Sequence, residues 1–172
     1  TDEGIKGYGE TDTNPWVAKA CIESPGTHTM DQSMKEILIG SNPLEIEALW
    51  ERLYVGTAMT GRRGAGVNAI GAIDMALWDI KGKCENKPVF ELLGGKFHDN
   101  ITPYASLQPI GNSFGEYKDS LVEWAKRAKD LGFKAVKAEV TMNGPYAHSG
   151  LNESDEKHTK VIEAVRSALG PE

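Results

Sequence analysis

A chain of 172 residues, 40% hydrophobic and 26% charged, has the make-up of a soluble protein of one domain, or two small ones, with apolar surface enough for a core. Its net charge of −6, with no long run of one sign, argues against a nucleic-acid partner, which usually needs a clustered basic face, and no stretch approaches the roughly 20 consecutive apolar residues of a membrane span. Cys21 and Cys84 match no metal or redox spacing and the opening TDEGIKGYGE is no signal peptide, which together suggest free thiols in the cytoplasm.

Asp2-Glu3-Gly4 supplies a turn, and the piece from Ile5 to Tyr8 is expected to be extended, the second half of a hairpin whose partner would precede Thr1. The turn formers TDTNPW (11–16) lead to an amphipathic stretch through Met34 to Ile39. Asn42 then suits a helix N-cap and Pro43 the first helical position, where a missing N–H costs nothing. Ile46, Leu49, Trp50, Leu53 and Tyr54 recur at helical spacing. GRRGAG breaks the pattern; its glycines match no phosphate-loop spacing, and Arg62 and Arg63 read as surface residues. A second helix is expected from about Asn68 to Lys81, with Ile70, Ile73, Leu77 and Ile80 in one stripe and Lys81 and Lys83 complementing its dipole. Pro88 opens a short helix, PVFELL, closed by Gly94-Gly95.

Beyond about Gly94 to Asn100, the expected domain boundary, the rhythm changes. NITPYASL (100–107) reads as a strand, and Ser113 to Glu116 fits a capping box. The helix after it places Tyr117, Leu121, Trp124, Ala125, Ala128 and Leu131 on one face and stops at Gly132. FKAVKAEV (133–140) reads as the next strand. Ser154 can cap a last helix, with Asp155 and Glu156 in its first turn, Val161, Val165, Ala168 and Leu169 as its stripe and Gly170-Pro171 as its stop. Strands alternating with helices argue for parallel βαβ units.

The strand at 133–140 carries the chemistry. Side chains alternate faces along a strand, so Val136, Ala138 and Val140 share one face with Lys134, while Phe133, Ala135, Lys137 and Glu139 share the other. The second set turns polar toward the C-terminal end, the end at which α/β sheets and barrels bind ligands. Lys137 and Glu139 can be a plain internal ion pair, which gains little over apolar residues when buried, or they can point at a site. The loop from Thr141 to Glu153 is long for a βα connection and carries Asn143, Tyr146, His148 and Asn152. His148 could exchange a proton near neutral pH, Tyr146 could hydrogen-bond a substrate oxygen, and a solvated flap is the plain alternative.

GAGVNAIGAIDMALWDIKGKCENKPVFELLGG (64–95) resembles the end of the capping domain and the approach to the barrel in the enolase superfamily, mandelate racemase/muconate lactonizing enzyme branch. DEGIKGYGE is similar to that domain's third strand, and LGFKAVKAEV to the second barrel strand. The resemblance implies a partial α+β capping domain over residues 1–95, followed over 96–172 by α/β structure, the first two βα units of a (β/α)8 TIM-type barrel. It implies removal of the proton α to a carboxylate, with Mg²⁺ as cofactor stabilising the enediolate and held by acids on the third, fourth and fifth barrel strands, beyond these two units. No metal ligand is therefore assigned here, and the chain alone is expected to be inactive.

In many members a Lys-x-Lys pair ends the second strand; Lys137 matches its first lysine, and Glu139 stands in place of the second. That departure removes a lysine base and fits a sugar-acid dehydratase better than a two-base racemase, leaving racemase, epimerase or cycloisomerase activity as alternatives. Lys137, Glu139, His148 and Tyr146 are thus the catalytic candidates, and Asn143, Asn14 and Trp16 the substrate-binding ones, the last two from the cap loop DTNPW. The implied partners are a small carboxylate, a sugar acid, and further copies of the full-length chain. A non-catalytic α/β binding module is the alternative from another class.

Overall fold

The computed structural model describes residues 1–140 and 152–171, so the expected site residues Asn143, Tyr146 and His148 lie outside the described residues. The chain divides into two units, Thr1–Phe97 and His98–Glu172. Among the described residues no helix is long and apolar enough to cross a membrane.

The first unit is helical. Asn14 caps α1 (Pro15–Glu23): its side-chain oxygen accepts from the N–H groups of Trp16 and Val17, and Pro15 takes the first helical position. The same Asn-Pro pair at 42–43 was expected to start a helix, but α3 runs from Ile46 to Gly56 with Glu45 as its cap. The side chain of Asn42 accepts from the Leu44 N–H instead, and its carbonyl from the Glu45 N–H. Asn-Pro has closed a turn, which uses the same local bonds. Between them lies α2 (Met34–Leu38), capped by the Ser33 hydroxyl. Helix α4 (Ala65–Glu85) outruns its expected span at both ends and closes at Asn86, in the left-handed region at φ 50°. Pro88 caps α5 (Val89–Leu92), one position before the helix rather than in it.

The core of this unit joins Met34 and Ile37 of α2, Leu49 and Leu53 of α3, and Ala69, Ile70, Ile73 and Leu77 of α4, with Cys21 and Ile22 of α1 packed against it. Of the helical stripes read from the sequence, Ile46, Leu49, Leu53, Ile70, Ile73 and Leu77 are buried, while Tyr54 and Ile80 are half-buried and Trp50 is 39% exposed.

The segment before α1 differs from expectation. Residues 5–10 form no strand, because among the described residues no other strand lies beside them. They lie along α4 instead. The Tyr8 N–H donates to Asp79 Oδ2 at 2.8 Å and Lys83 Nζ donates to the Lys6 carbonyl at 2.7 Å. The contact is so close that a Cβ on Gly9 would stand 1.8 Å from the Ala72 carbonyl oxygen, and one on Gly7 2.0 Å from that of Ala76. Glycine is required here by approach to a helix backbone. Gly9→Ala is expected to release the segment and cost about 1–3 kcal/mol, read as a lower denaturation midpoint with faster proteolysis near Tyr8.

Acid should release it too. The hydrogen bond from Lys83, then that from the Tyr8 N–H, hold the Asp79 carboxyl below its ordinary 3.8. Its contribution is full above that ordinary value and is lost as pH falls through the lower folded value. Protection of the Tyr8 amide should fall in that window, and Asp79→Asn should remove the dependence.

The second unit begins with β1 (Tyr104–Ser106), α6 (Phe114–Asp130), β2 (Ala135–Lys137) and α7 (Asp155–Leu169) in chain order. The strands are parallel, with Tyr104 opposite Ala135, Ala105 opposite Val136 and Ser106 opposite Lys137. Both are shorter than the eight-residue runs expected, since each has one described neighbour and pairs only where they face; Pro103 has no N–H to offer the ladder. The Ser113 hydroxyl accepts from the Glu116 N–H, while Glu116 returns to Asn112 rather than to the cap itself.

Tyr117, Leu121, Ala125 and Ala128 of α6 pack with Leu107 and with Val161 and Val165 of α7; Ala105, Val136 and Val140 cover this core from the strand side. Trp124 and Leu131, expected on the same face, are 37% and 68% exposed. The contacting stripe is narrower than the sequence suggests because the small Ala125 and Ala128 let the helices approach. Leu131 is already the C-cap, and Trp124 lies at the rim with the Arg127 guanidinium 5.2 Å from its ring. Ser154 stands at the N-cap of α7 but makes no side-chain capping bond, and Gly170 closes that helix at φ 93°.

Candidate functional site

Alternation along β2 holds in part. Val136 and Val140 are half-buried against the core and Phe133, Ala135, Lys137 and Glu139 are exposed, but Ala138, expected on the core face with the two valines, is exposed as well, since it lies beyond the paired residues of the strand. Lys137 and Glu139 therefore leave the strand's C-terminal end on one side, and Lys137 Nζ donates to Glu139 Oε1 at 3.1 Å. Both side chains are about half exposed, at 52% and 50%. The hydrogen bond and charge of Glu139, with a smaller contribution from Tyr104, hold the Lys137 ammonium above its ordinary 10.5, so it is charged throughout the neutral range.

An ion pair this open is well screened by solvent. It is a weak contributor to stability and an easy one to divert: an ammonium has three protons to donate, and one is engaged with Glu139. An incoming carboxylate can take another or displace Glu139.

The strand end is anchored from behind. Tyr117, fully buried on α6, donates its hydroxyl to the Glu139 carbonyl at 2.5 Å. Burial, and then the charge of Glu139, push that hydroxyl's pKa above its ordinary 10.0, so it remains a donor. The parallel register adds two groups that reasoning from the sequence missed. Ser106 stands opposite Lys137, and Tyr104, 57% exposed, stands opposite Ala135 on the same sheet face. The one local signal was the alternation of Tyr104 and Ser106 about the half-buried Ala105.

Asn14 and Trp16 belong to the Thr1–Phe97 unit. The side-chain oxygen of Asn14 is committed to capping α1, and Trp16 is 75% exposed with Lys19 Nζ 6.0 Å from its ring. Among the described residues no three His, Cys, Asp or Glu side chains converge as a metal site.

Comparison with known proteins shows the family. Residues 1–94 match the family described as "Mandelate racemase / muconate lactonizing enzyme, N-terminal domain". The D-galactonate dehydratase family member RspA of Cellvibrio japonicus is 36% identical over 84% of this chain and 33% of its own length. D-galactarolactone cycloisomerase of Agrobacterium fabrum is 31% identical over 99% of this chain and 40% of its own. The crystal structure of the 3,6-anhydro-D-galactonate cycloisomerase from Zobellia galactanivorans superposes with a TM-score of 0.78 at 34% identity, over 99% of this chain and 41% of that one. The chain thus spans a third to two fifths of the length of these relatives. With more than half of its residues matched to the family's N-terminal domain, the chain belongs to the mandelate racemase/muconate lactonizing enzyme family.

Proposed function

We propose that this chain forms the capping domain (1–95) and the first two barrel βα units (96–172) of a whole enzyme that removes the proton α to the carboxylate of a sugar acid and expels a hydroxyl as water. The observation that carries this reading is the Lys137–Glu139 pair, side by side on the exposed face at the C-terminal end of β2. The dehydratase and cycloisomerase names of the relatives support it and favour an enzyme over a non-catalytic module. So does the exposed face that Tyr104, Ala135 and Lys137 share: in a closed barrel it would face the interior.

In this reading the Lys137 ammonium holds the substrate carboxylate and stabilises the charge that builds there as the α proton leaves. Glu139 accepts a hydrogen bond from a substrate hydroxyl, or takes the proton itself. His148 and Tyr146 are the further acid–base candidates. Asn143, Asn14 and Trp16 are candidates for recognising the sugar.

The implied Mg²⁺ would polarise the carboxylate in the whole protein. The described groups at this site do not suit it, since an ammonium paired with a carboxylate repels a cation, so its ligands are assigned to other strands and no step here runs through it. Further parts of the proposal are that the chain by itself is inactive and that the whole protein is a cytoplasmic homo-oligomer.

Cycloisomerisation is the second reading, favoured by the two cycloisomerases among the relatives. Incubating the whole protein with a panel of aldonic and aldaric acids and their lactones in deuterated water separates the two. Dehydration gives a 2-keto-3-deoxy acid labelled with deuterium at C3. Lactone isomerisation without water loss would favour the second reading, and α-deuterium exchange with neither outcome would point to a racemase or epimerase.

A further inference from the structure

Pairing of β2 with β1 ends at Lys137, whose carbonyl accepts from the Leu107 N–H at 2.9 Å. Glu139 lies two residues beyond the last paired position, outside the ladder with β1. At this point the Tyr117 hydroxyl reaches the Glu139 carbonyl from the core side. Tyr117 itself is fully buried, packed with Leu121 of α6 and with α7, so the donor is held within the unit's core. With the carbonyl of Glu139 held inward and Val140 packed on the core, the backbone of residue 139 has little rotational freedom, and its side chain must leave on the outer face beside Lys137.

We propose that Tyr117 is a positioning residue, its buried hydroxyl fixing the Glu139 backbone so that the Lys137–Glu139 pair forms at the strand end. The inference deepens the reading of this pair as the substrate-carboxylate site and rests on it for its functional meaning, but its physical content concerns the pair alone. Phenylalanine at 117 would keep the ring in the core and remove the hydroxyl. A net hydrogen bond lost at a strand end corresponds to roughly a fivefold rise in local opening.

The test is NMR on the whole protein carrying Tyr117→Phe, with Glu139→Gln as the reference for a broken pair. In the unsubstituted protein the Lys137 Nζ should titrate above an ordinary lysine, and Glu139→Gln should remove that elevation. Tyr117→Phe is expected to move the titration the same way and to speed Leu107 amide exchange about fivefold, while the amides of Val161 and Val165 in α7 keep their protection. A purely packing role would leave the Lys137 titration unmoved, and that result would overturn the proposal. Should the variant fail to fold, the hydroxyl proton of Tyr117 can be followed in the unsubstituted protein; slow exchange supports the assignment, and exchange as fast as that of free tyrosine overturns it. Neither readout depends on turnover. If the sugar-acid reading fails in the whole protein while Lys137 responds to Tyr117→Phe, only the functional reading is lost.

Discussion

On the proposed sugar-acid reading, replacing Lys137 by methionine in the whole protein should lower kcat/KM by about 10²–10³-fold, the usual loss when one preorganised donor to a developing negative charge is removed. Methionine keeps most of the aliphatic stem and discards the charge, so packing along β2 changes little. The fold should hardly notice, because the pair with Glu139 is about half exposed on both sides and solvent-exposed pairs contribute little to stability. Lys137→Met is therefore expected to separate activity from stability: a large kinetic loss with an unchanged denaturation midpoint. If the ammonium only binds the ground-state carboxylate, the loss falls in KM; if it stabilises the enediolate, kcat falls with it. Unchanged kinetics would remove Lys137 from the site.

Leu121→Ala should produce the opposite separation. Leu121 is fully buried where α6 meets α7. Truncating a leucine in such a position costs about 2–5 kcal/mol through lost transfer energy and the cavity left behind. Its neighbours Ala125 and Ala128 are too small to move in and fill the space, which places the expected value in the upper half of that range. A urea titration should show a lower midpoint at an unchanged slope. Trp124→Ala on the same helix removes a larger side chain, yet it should cost far less, because Trp124 is 37% exposed at the rim. A larger loss from Trp124 than from Leu121 would mean that the α6–α7 packing is wrongly drawn.

The contrast between those two residues shows what could be read locally. Spacing put Leu121 and Trp124 on one face, and only the closeness permitted by Ala125 and Ala128 decided which is buried. The asparagine–proline pairs behave similarly. Asn14-Pro15 starts a helix and Asn42-Pro43 closes a turn, although the two dipeptides are chemically identical.

By itself the sequence determined the helical stripes, most of the stops at glycine, the alternation of strand and helix after Asn100, and the sharing of one strand face by Lys137 and Glu139. Each follows from backbone geometry repeating over a few residues, which any short window contains. Tertiary structure alone decided that Ser106 stands opposite Lys137, that the Tyr117 hydroxyl reaches the Glu139 carbonyl, and that Gly7 and Gly9 must lack side chains to lie along α4. Those contacts join residues distant in the chain, and their geometry is set by how helices α4 and α6 pack against the segments that precede and follow them.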